Sequence, residues 1–225
     1  MENNSKHFIH MREGTWDIID RTHYRITIDH EQKIINFTGQ ESSDEDWPDN
    51  FDFRVRAIQW FSDNDQIWVH AGFLRQYMAV RNKWLDTAYE YPDYSIRVDG
   101  FSLGGSWTQI FVQDVLHHWP DRDILAIFYA PGNPWRKLPK EYQIALKQCT
   151  IFVRSIWDPV TWMRAIRFYR YGRHYTVGKW YRIFPLQHRP EQIIRGLDGL
   201  NYKTSSNFLH DLLLFEHGKR QKTGF

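Results

Sequence analysis

A chain of 225 residues with 42% hydrophobic and 25% charged residues suits one domain, residues 1–225, with a sizeable core. Its formal net charge of +2 leaves no electrostatic case for nucleic acid, and a single cysteine, Cys149, excludes an intramolecular disulfide. The Met1–Phe8 stretch lacks the apolar centre of a signal peptide and no run reaches membrane-spanning length, so a cytoplasmic protein is the default expectation.

Taken in order, residues 1–15 read as a loose N-terminal segment. His23–Ile28 alternates as a strand, and Lys33–Phe37 is its hairpin partner. Thr38–Trp47 follows as a polar loop, placed where α/β sheets carry their sites. Phe51–Trp60 alternates again and pairs with Gln66–His70 across Asp63–Asp65. Ala71–Tyr89 is amphipathic, with Phe73, Tyr77, Val80 and Trp84 on one side, and Pro92 closes it. Ile124–Tyr129 and Thr150–Arg154 are continuous apolar runs of the kind found in buried parallel strands, with a short helix at Lys140–Lys147 between them. Arg173–Phe184 supplies a last strand or hairpin, Pro190–Leu197 a helix, and Asn207–Phe215 a final helical segment. Alternating strands and helices predict a mainly parallel sheet flanked by helices, with the two early hairpins as antiparallel additions at one edge. Aromatic residues reach 17%, including 11 Trp, which suggests rings lining a cleft for a lipid-like or glycan-like ligand.

The centre of the chain is the run Ser95–Val98, Gly100–Phe101–Ser102–Leu103–Gly104, then a helix over Ser106–His117. Strand, tight turn and helix around Gly-x-Ser-x-Gly is the context of a nucleophile elbow. A serine at the apex of a strained turn needs neighbours without bulk, which Gly100 and Gly104 supply, and Gly105 gives helix and strand further room. Free N–H groups at the helix start favour a developing negative charge.

A nucleophilic serine needs a base and an acid, which in this context follow in the order Ser, Asp or Glu, His. Asp158 lies just past the strand Thr150–Arg154 and suits the acid, although Asp158–Pro159 is also a common turn initiator. His188, in a loop after the last strand, is the favoured base. His210, flanked by Leu209 and Leu212 in a helix, is the alternative, with a partly buried packing role as its plainer reading; His174 inside a strand reads as structural. The oxyanion donors are expected to be the backbone N–H groups of Leu103 and Gln40. No His/Cys/Asp cluster has metal-ligand spacing, so no metal or cofactor is expected; His117 and His118 read as structure, and Cys149 as a buried thiol.

Three segments carry a resemblance. Phe37–Thr38–Gly39–Gln40–Glu41–Ser42, Val69–His70–Ala71–Gly72–Phe73 and Gly100–Phe101–Ser102–Leu103–Gly104–Gly105, in that order, resemble the class 3 (fungal-type) lipases over roughly residues 33 to 197. Ala130–Asn133 and Ser155–Pro159 look like two later stretches of the same family. The resemblance implies an α/β-hydrolase fold and a Ser-His-Asp carboxyl-ester hydrolase acting on lipid-like esters, with transient contact to a lipid surface. It implies Ser102 as nucleophile, Asp158 as acid, Gln40 and Leu103 as oxyanion donors, and His70 as a structural residue. Phe101 stands where the family usually has histidine, Thr38 where it has arginine, and Gln40 where it has Thr or Ser. Without a secretion signal or disulfides the chain resembles an intracellular, phage- or bacteria-encoded member. Two rival expectations are a catalytically silent binding protein of the same fold and a serine acyltransferase or peptidase. Segment Asp44–Phe53 is the candidate lid, and the oligomeric state is open.

Overall fold

The computed structural model describes residues 6–40, 52–58, 67–155, 167–177, 190–198, 207–208 and 210–211. Within them the elements are α1 (Lys6–Arg12), β1 (Asp17–Ile19), β2 (Thr22–Asp29), β3 (Ile34–Gln40), β4 (Val55–Ile58), β5 (Ile67–His70), α2 (Ala71–Glu90), β6 (Ser95–Phe101), α3 (Ser102–His118), β7 (Ile124–Tyr129), β8 (Trp135–Lys137), α4 (Lys140–Cys149), β9 (Thr150–Ser155), β10 (Arg173–Val177) and α5 (Pro190–Asp198). The main sheet has the order β1-β2-β3-β6-β7-β9-β10. From β3 to β10 every pairing is parallel, and β2 and β1 are antiparallel additions at one edge. This is the predicted α/β architecture.

Four details differ from the expectation. The second hairpin, β4 with β5, does not extend the main sheet; it joins β8 in a separate three-stranded sheet. Thr38, Gly39 and Gln40 are strand rather than loop, because β6 offers parallel partners to Thr38 and Gly39 in register with Asp99 and Gly100. A ladder bonds through the backbone and ignores side-chain polarity. The N-terminal segment carries a helix, α1, that buries Phe8 and Met11. The helix expected from Ser106 begins four residues earlier, at Ser102 itself.

The helix α3 is the axis of the fold, buried without interruption from Ser102 to Leu116. Two of its polar side chains bond back within the helix: the Thr108 hydroxyl donates to Gly104 O at 2.7 Å and Gln109 Nε2 to Gly105 O at 2.9 Å. Phe111 meets Phe37 of β3 at 4.7 Å and Trp84 of α2 at 4.8 Å, ring centre to ring centre. Between α2 and α3 the carboxylate of Asp114 is fully buried. It accepts from Tyr77 at 2.5 Å and from Arg81 at 2.7 Å, and His118 Nδ1 stands 3.2 Å away. Such a carboxylate is tolerable in a core only because its oxygens are bonded to donors, one of them cationic. At the far end of the sheet Arg122 donates to the carbonyls of Ala88, Tyr91 and Tyr94, closing the C-terminus of α2 onto the start of β6.

Among the described residues the aromatic rings go largely inside. Trp84, Trp107 and Trp135 are fully buried, and the other described tryptophans (Trp16, Trp68 and Trp119) are half-buried. Cys149 is buried, with its sulfur 3.8 Å from Leu146 O.

Candidate active site

The junction of β6 and α3 is set by four glycines. An ideal Cβ on Gly104 would stand 2.3 Å from C and O of Gly39 and 2.5 Å from N of Gln40, and one on Gly100 would stand 2.7 Å from N of Gly105. Helix and strands therefore meet backbone to backbone, a distance only glycine permits. The last residue of β6, Phe101, is extended (φ −117°, ψ 141°), and the next, Ser102, is left-handed at φ 54°. A non-glycine residue there is strained by about 1–3 kcal/mol and needs surrounding structure to hold it.

The neighbouring turn is coupled to this one. At the end of β7, Ala130 is also left-handed at φ 48°, with its N–H donating to Val153 O at 2.7 Å. The Ser106 hydroxyl donates to Ser102 O at 2.7 Å and accepts from Gly132 N–H at 2.7 Å, while Gln109 Nε2 also reaches Gly132 O at 3.1 Å. The Ala130–Asn133 loop is thus tied to the first turn of α3.

Three of the expected site residues come together here. Ser102 opens α3, 2% exposed; Leu103 is its second residue, buried; and Gln40 ends β3 with its backbone nitrogen facing Gly104. The first N–H groups of a helix have no intrahelical acceptor, so the Leu103 N–H starts without one. Asp158 and His188 lie outside the described residues, as does nearly all of the candidate lid Asp44–Phe53. His210 is exposed rather than partly buried. The buried neighbour is Asp211, which accepts from Arg173 and, at 2.7 Å, from Tyr175 on β10. The strand β10 is three positions along the sheet from β6, about 14 Å at the usual strand spacing. His174, on β10, is exposed and stacks on Phe152 at 5.1 Å. His70 caps α2, its Nδ1 accepting the Phe73 N–H at 3.4 Å and its ring stacked on Phe73 at 4.0 Å. That is the structural role expected of it.

The underside of the junction was not legible beforehand. Phe101 points away from α3 and meets Phe8 of α1 at 5.5 Å, with the Arg12 guanidinium 4.8 Å over its ring. His7 Nδ1 lies 2.8 Å from the Tyr129 hydroxyl, and its Nε2 lies 3.8 Å from Asp99 Oδ2. Burial pushes the Asp99 carboxyl up to about 7, against the opposing pull of the Thr38 hydroxyl and the Arg25 charge. Burial lowers His7 to about 4, helped by the charges of His10 and Arg97.

These two shifts oppose each other. For His7, depressed on folding, stability is present above its ordinary value near 6.5 and lost as pH falls towards 4. For Asp99, raised on folding, stability is present below 3.8 and lost as pH rises through about 7. In the wild type the two slopes nearly cancel between pH 4 and 6.5. Asp99→Asn removes one of them, so stability in the variant should rise with pH across that window. Its gain between about pH 4 and pH 8 should exceed the wild-type change by about 2–4 kcal/mol. Urea unfolding at a series of pH values measures it, and parallel curves for the two proteins would show the Asp99 assignment to be wrong.

Comparison with protein families places residues 34–162, more than half of the chain, in the family described as Lipase (class 3). The chain belongs to the class 3 lipase family. A search of curated proteins gives no match. Among solved structures the chain is similar to the Rhizomucor miehei lipase in its propeptide complex, at 20% identity and a TM-score of 0.57, over 72% of this chain and 55% of that one. A triacylglycerol lipase from Penicillium expansum is similar at 18% identity and a TM-score of 0.54, over 72% of this chain and 66% of that one. A Yarrowia lipolytica lipase is similar at 17% identity and a TM-score of 0.54, over 80% and 72% of the two chains. This class 3 lipase family member thus covers about half to two thirds of the first two lipases, and at such identities the likeness establishes the α/β-hydrolase fold. Among its described residues no helix is long and apolar enough to cross a membrane.

Proposed function

We propose that the protein is a serine carboxyl-ester hydrolase acting on lipid-like esters through an acyl-enzyme. The observation that carries this reading is Ser102, held left-handed at φ 54° between β6 and α3, with the Gly39–Gln40 peptide against the helix start. Ser102 Oγ attacks the ester carbonyl carbon while His188 takes its proton and Asp158 holds the imidazole and balances its charge. The carbonyl oxygen, now anionic, is received by the N–H groups of Leu103 and Gln40, aided by the positive end of the 17-residue α3. Collapse of the tetrahedral intermediate breaks the ester C–O bond, and the departing alcohol takes the proton from His188. Water then attacks the acyl-enzyme by the same route, releasing the acid and restoring Ser102.

The oxyanion donors are backbone groups, so the residues that depart from the family pattern at Thr38 and Gln40 leave them in place. Thr38 is 3% exposed and faces Asp99, where it serves the sheet rather than the substrate. The test is a p-nitrophenyl ester series of increasing acyl length on wild type, His188→Ala and His210→Ala. Turnover should fall about 1000-fold or more in His188→Ala and by less than about twofold in His210→Ala. The reverse pattern would move the base to His210. A wild type silent on every ester and unlabelled by a fluorophosphonate would refute the hydrolase reading in favour of a binding protein.

A further inference from the structure

The sheet has two unlike faces at its centre. Towards α2 and α3 the strands β3 and β6 present Ile35, Phe37, Ile96 and Val98, all buried and apolar. Alternation turns Asn36, Thr38, Arg97 and Asp99 to the opposite face. Central parallel strands ordinarily carry apolar residues on both faces. Here the register instead lines up two polar rows, Arg25–Thr38–Asp99 and Thr27–Asn36–Arg97, across β2, β3 and β6.

These rows form the floor of a cavity of about 580 Å³, and α1 supplies part of its wall through His7, His10 and Met11. The volume is that of a small-molecule site. Its floor is deep: Arg97 is 1% exposed, Thr38 3% and Asp99 7%. Asp99 Oδ1 and Arg25 Nε are buried with no hydrogen-bond partner among the described residues. Buried polar atoms in that condition are costly, and a water, an ion or a ligand completes them.

We propose that this cavity binds a small anion bearing several hydroxyl groups, a sugar acid or a sugar phosphate. The Arg97 guanidinium is a planar donor group of the kind that recognises carboxylate or phosphate, and Arg25, whose two terminal nitrogens donate to Glu13 O and Met11 O, adds its charge and its Nε. Asn36, Thr27 and Asp99 supply the mixed donors and acceptors that hydroxyl groups need. Asp99 sits where it would repel an anion if ionised. Burial keeps its carboxyl protonated up to about pH 7, so the site is receptive below that value and less so above it. The other titratable or charged groups facing it are His7 and His10 from α1, Arg25 and Asp29 from β2, Arg97 from β6 and Tyr129 from β7. His7, lowered to about 4, stays neutral throughout the range that matters.

Calorimetric titration with gluconate and with glucose 6-phosphate tests the site, with acetate as charge without hydroxyls and sorbitol as hydroxyls without charge. Gluconate keeps its charge between about pH 6 and pH 8, so any change in its binding over that range belongs to the protein. At least one sugar anion should saturate and bind about tenfold or more tightly than acetate or sorbitol, and which of the two does so names the anionic group. Gluconate binding should weaken about tenfold from pH 6 to pH 8, and Arg97→Met should abolish binding of either anion. Arg97 lies on a central strand, so the half-buried Asn36→Leu serves if that variant does not fold; it should weaken binding about tenfold. Absence of saturable binding by both sugar anions overturns the proposal. So does binding matched by acetate or sorbitol, or left intact in Asn36→Leu.

Discussion

Ser102→Ala is expected to lower ester turnover by about 1000-fold or more while leaving the fold intact, and to abolish labelling by a fluorophosphonate. The change removes one oxygen at a position that is 2% exposed, and alanine keeps the Cβ that the turn already accommodates at φ 54°. Stability should therefore move by less than about 1 kcal/mol. The paired readout, initial rates on a short-chain ester and a urea melt, makes the result decisive. A dead variant with an unchanged melt assigns the chemistry to the hydroxyl. Retained turnover would place the nucleophile elsewhere and remove the role given to the elbow.

Gly104→Ala is expected to damage both activity and fold, for a reason that involves no reacting atom. The added carbon would fall 2.3 Å from the Gly39 carbonyl and 2.5 Å from Gln40 N, both of them backbone and neither able to swing aside. Relief requires α3 and β3 to separate, and each is anchored elsewhere, by Phe37 against Phe111 and by the pairing of Gly39 with Gly100. The expected cost is about 3 kcal/mol or more, with turnover down about 100-fold in whatever fraction folds, because Gln40 N moves relative to Leu103 N. Chemical denaturation and activity per folded molecule measure the two parts. A variant with wild-type stability and rate would mean that the helix and strand are not locked together.

What was legible in the sequence was whatever local chemistry imposes. Gly100, Gly104 and Gly105 have few uses at that spacing other than a close approach, and Ile124–Tyr129 is too short and too apolar for anything but a buried strand. What was not legible depends on partners distant in the chain. The strands β4 and β5 read correctly as a hairpin, but their sheet is decided by β8, three residues long and about 65 residues further on. Seven residues with His, Arg and only Phe8 and Met11 as anchors gave no helical signal at α1, which is held by Phe101 and Tyr129 about a hundred residues away. His210 looked half-buried from its leucine neighbours, yet the chain turns Asp211 inward because Arg173 and Tyr175 wait for it there.

Two serines stand one turn apart at the start of α3, and they are not chemically equivalent. The single proton of Ser106 is committed to Ser102 O and its oxygen already accepts from Gly132 N–H, so moving that proton to a base would first undo the joint between two loops. A nucleophile has to surrender a proton cheaply, and Ser106 cannot. The same hydroxyl that ties the turns together thereby withdraws itself from competition for a serine-directed reagent.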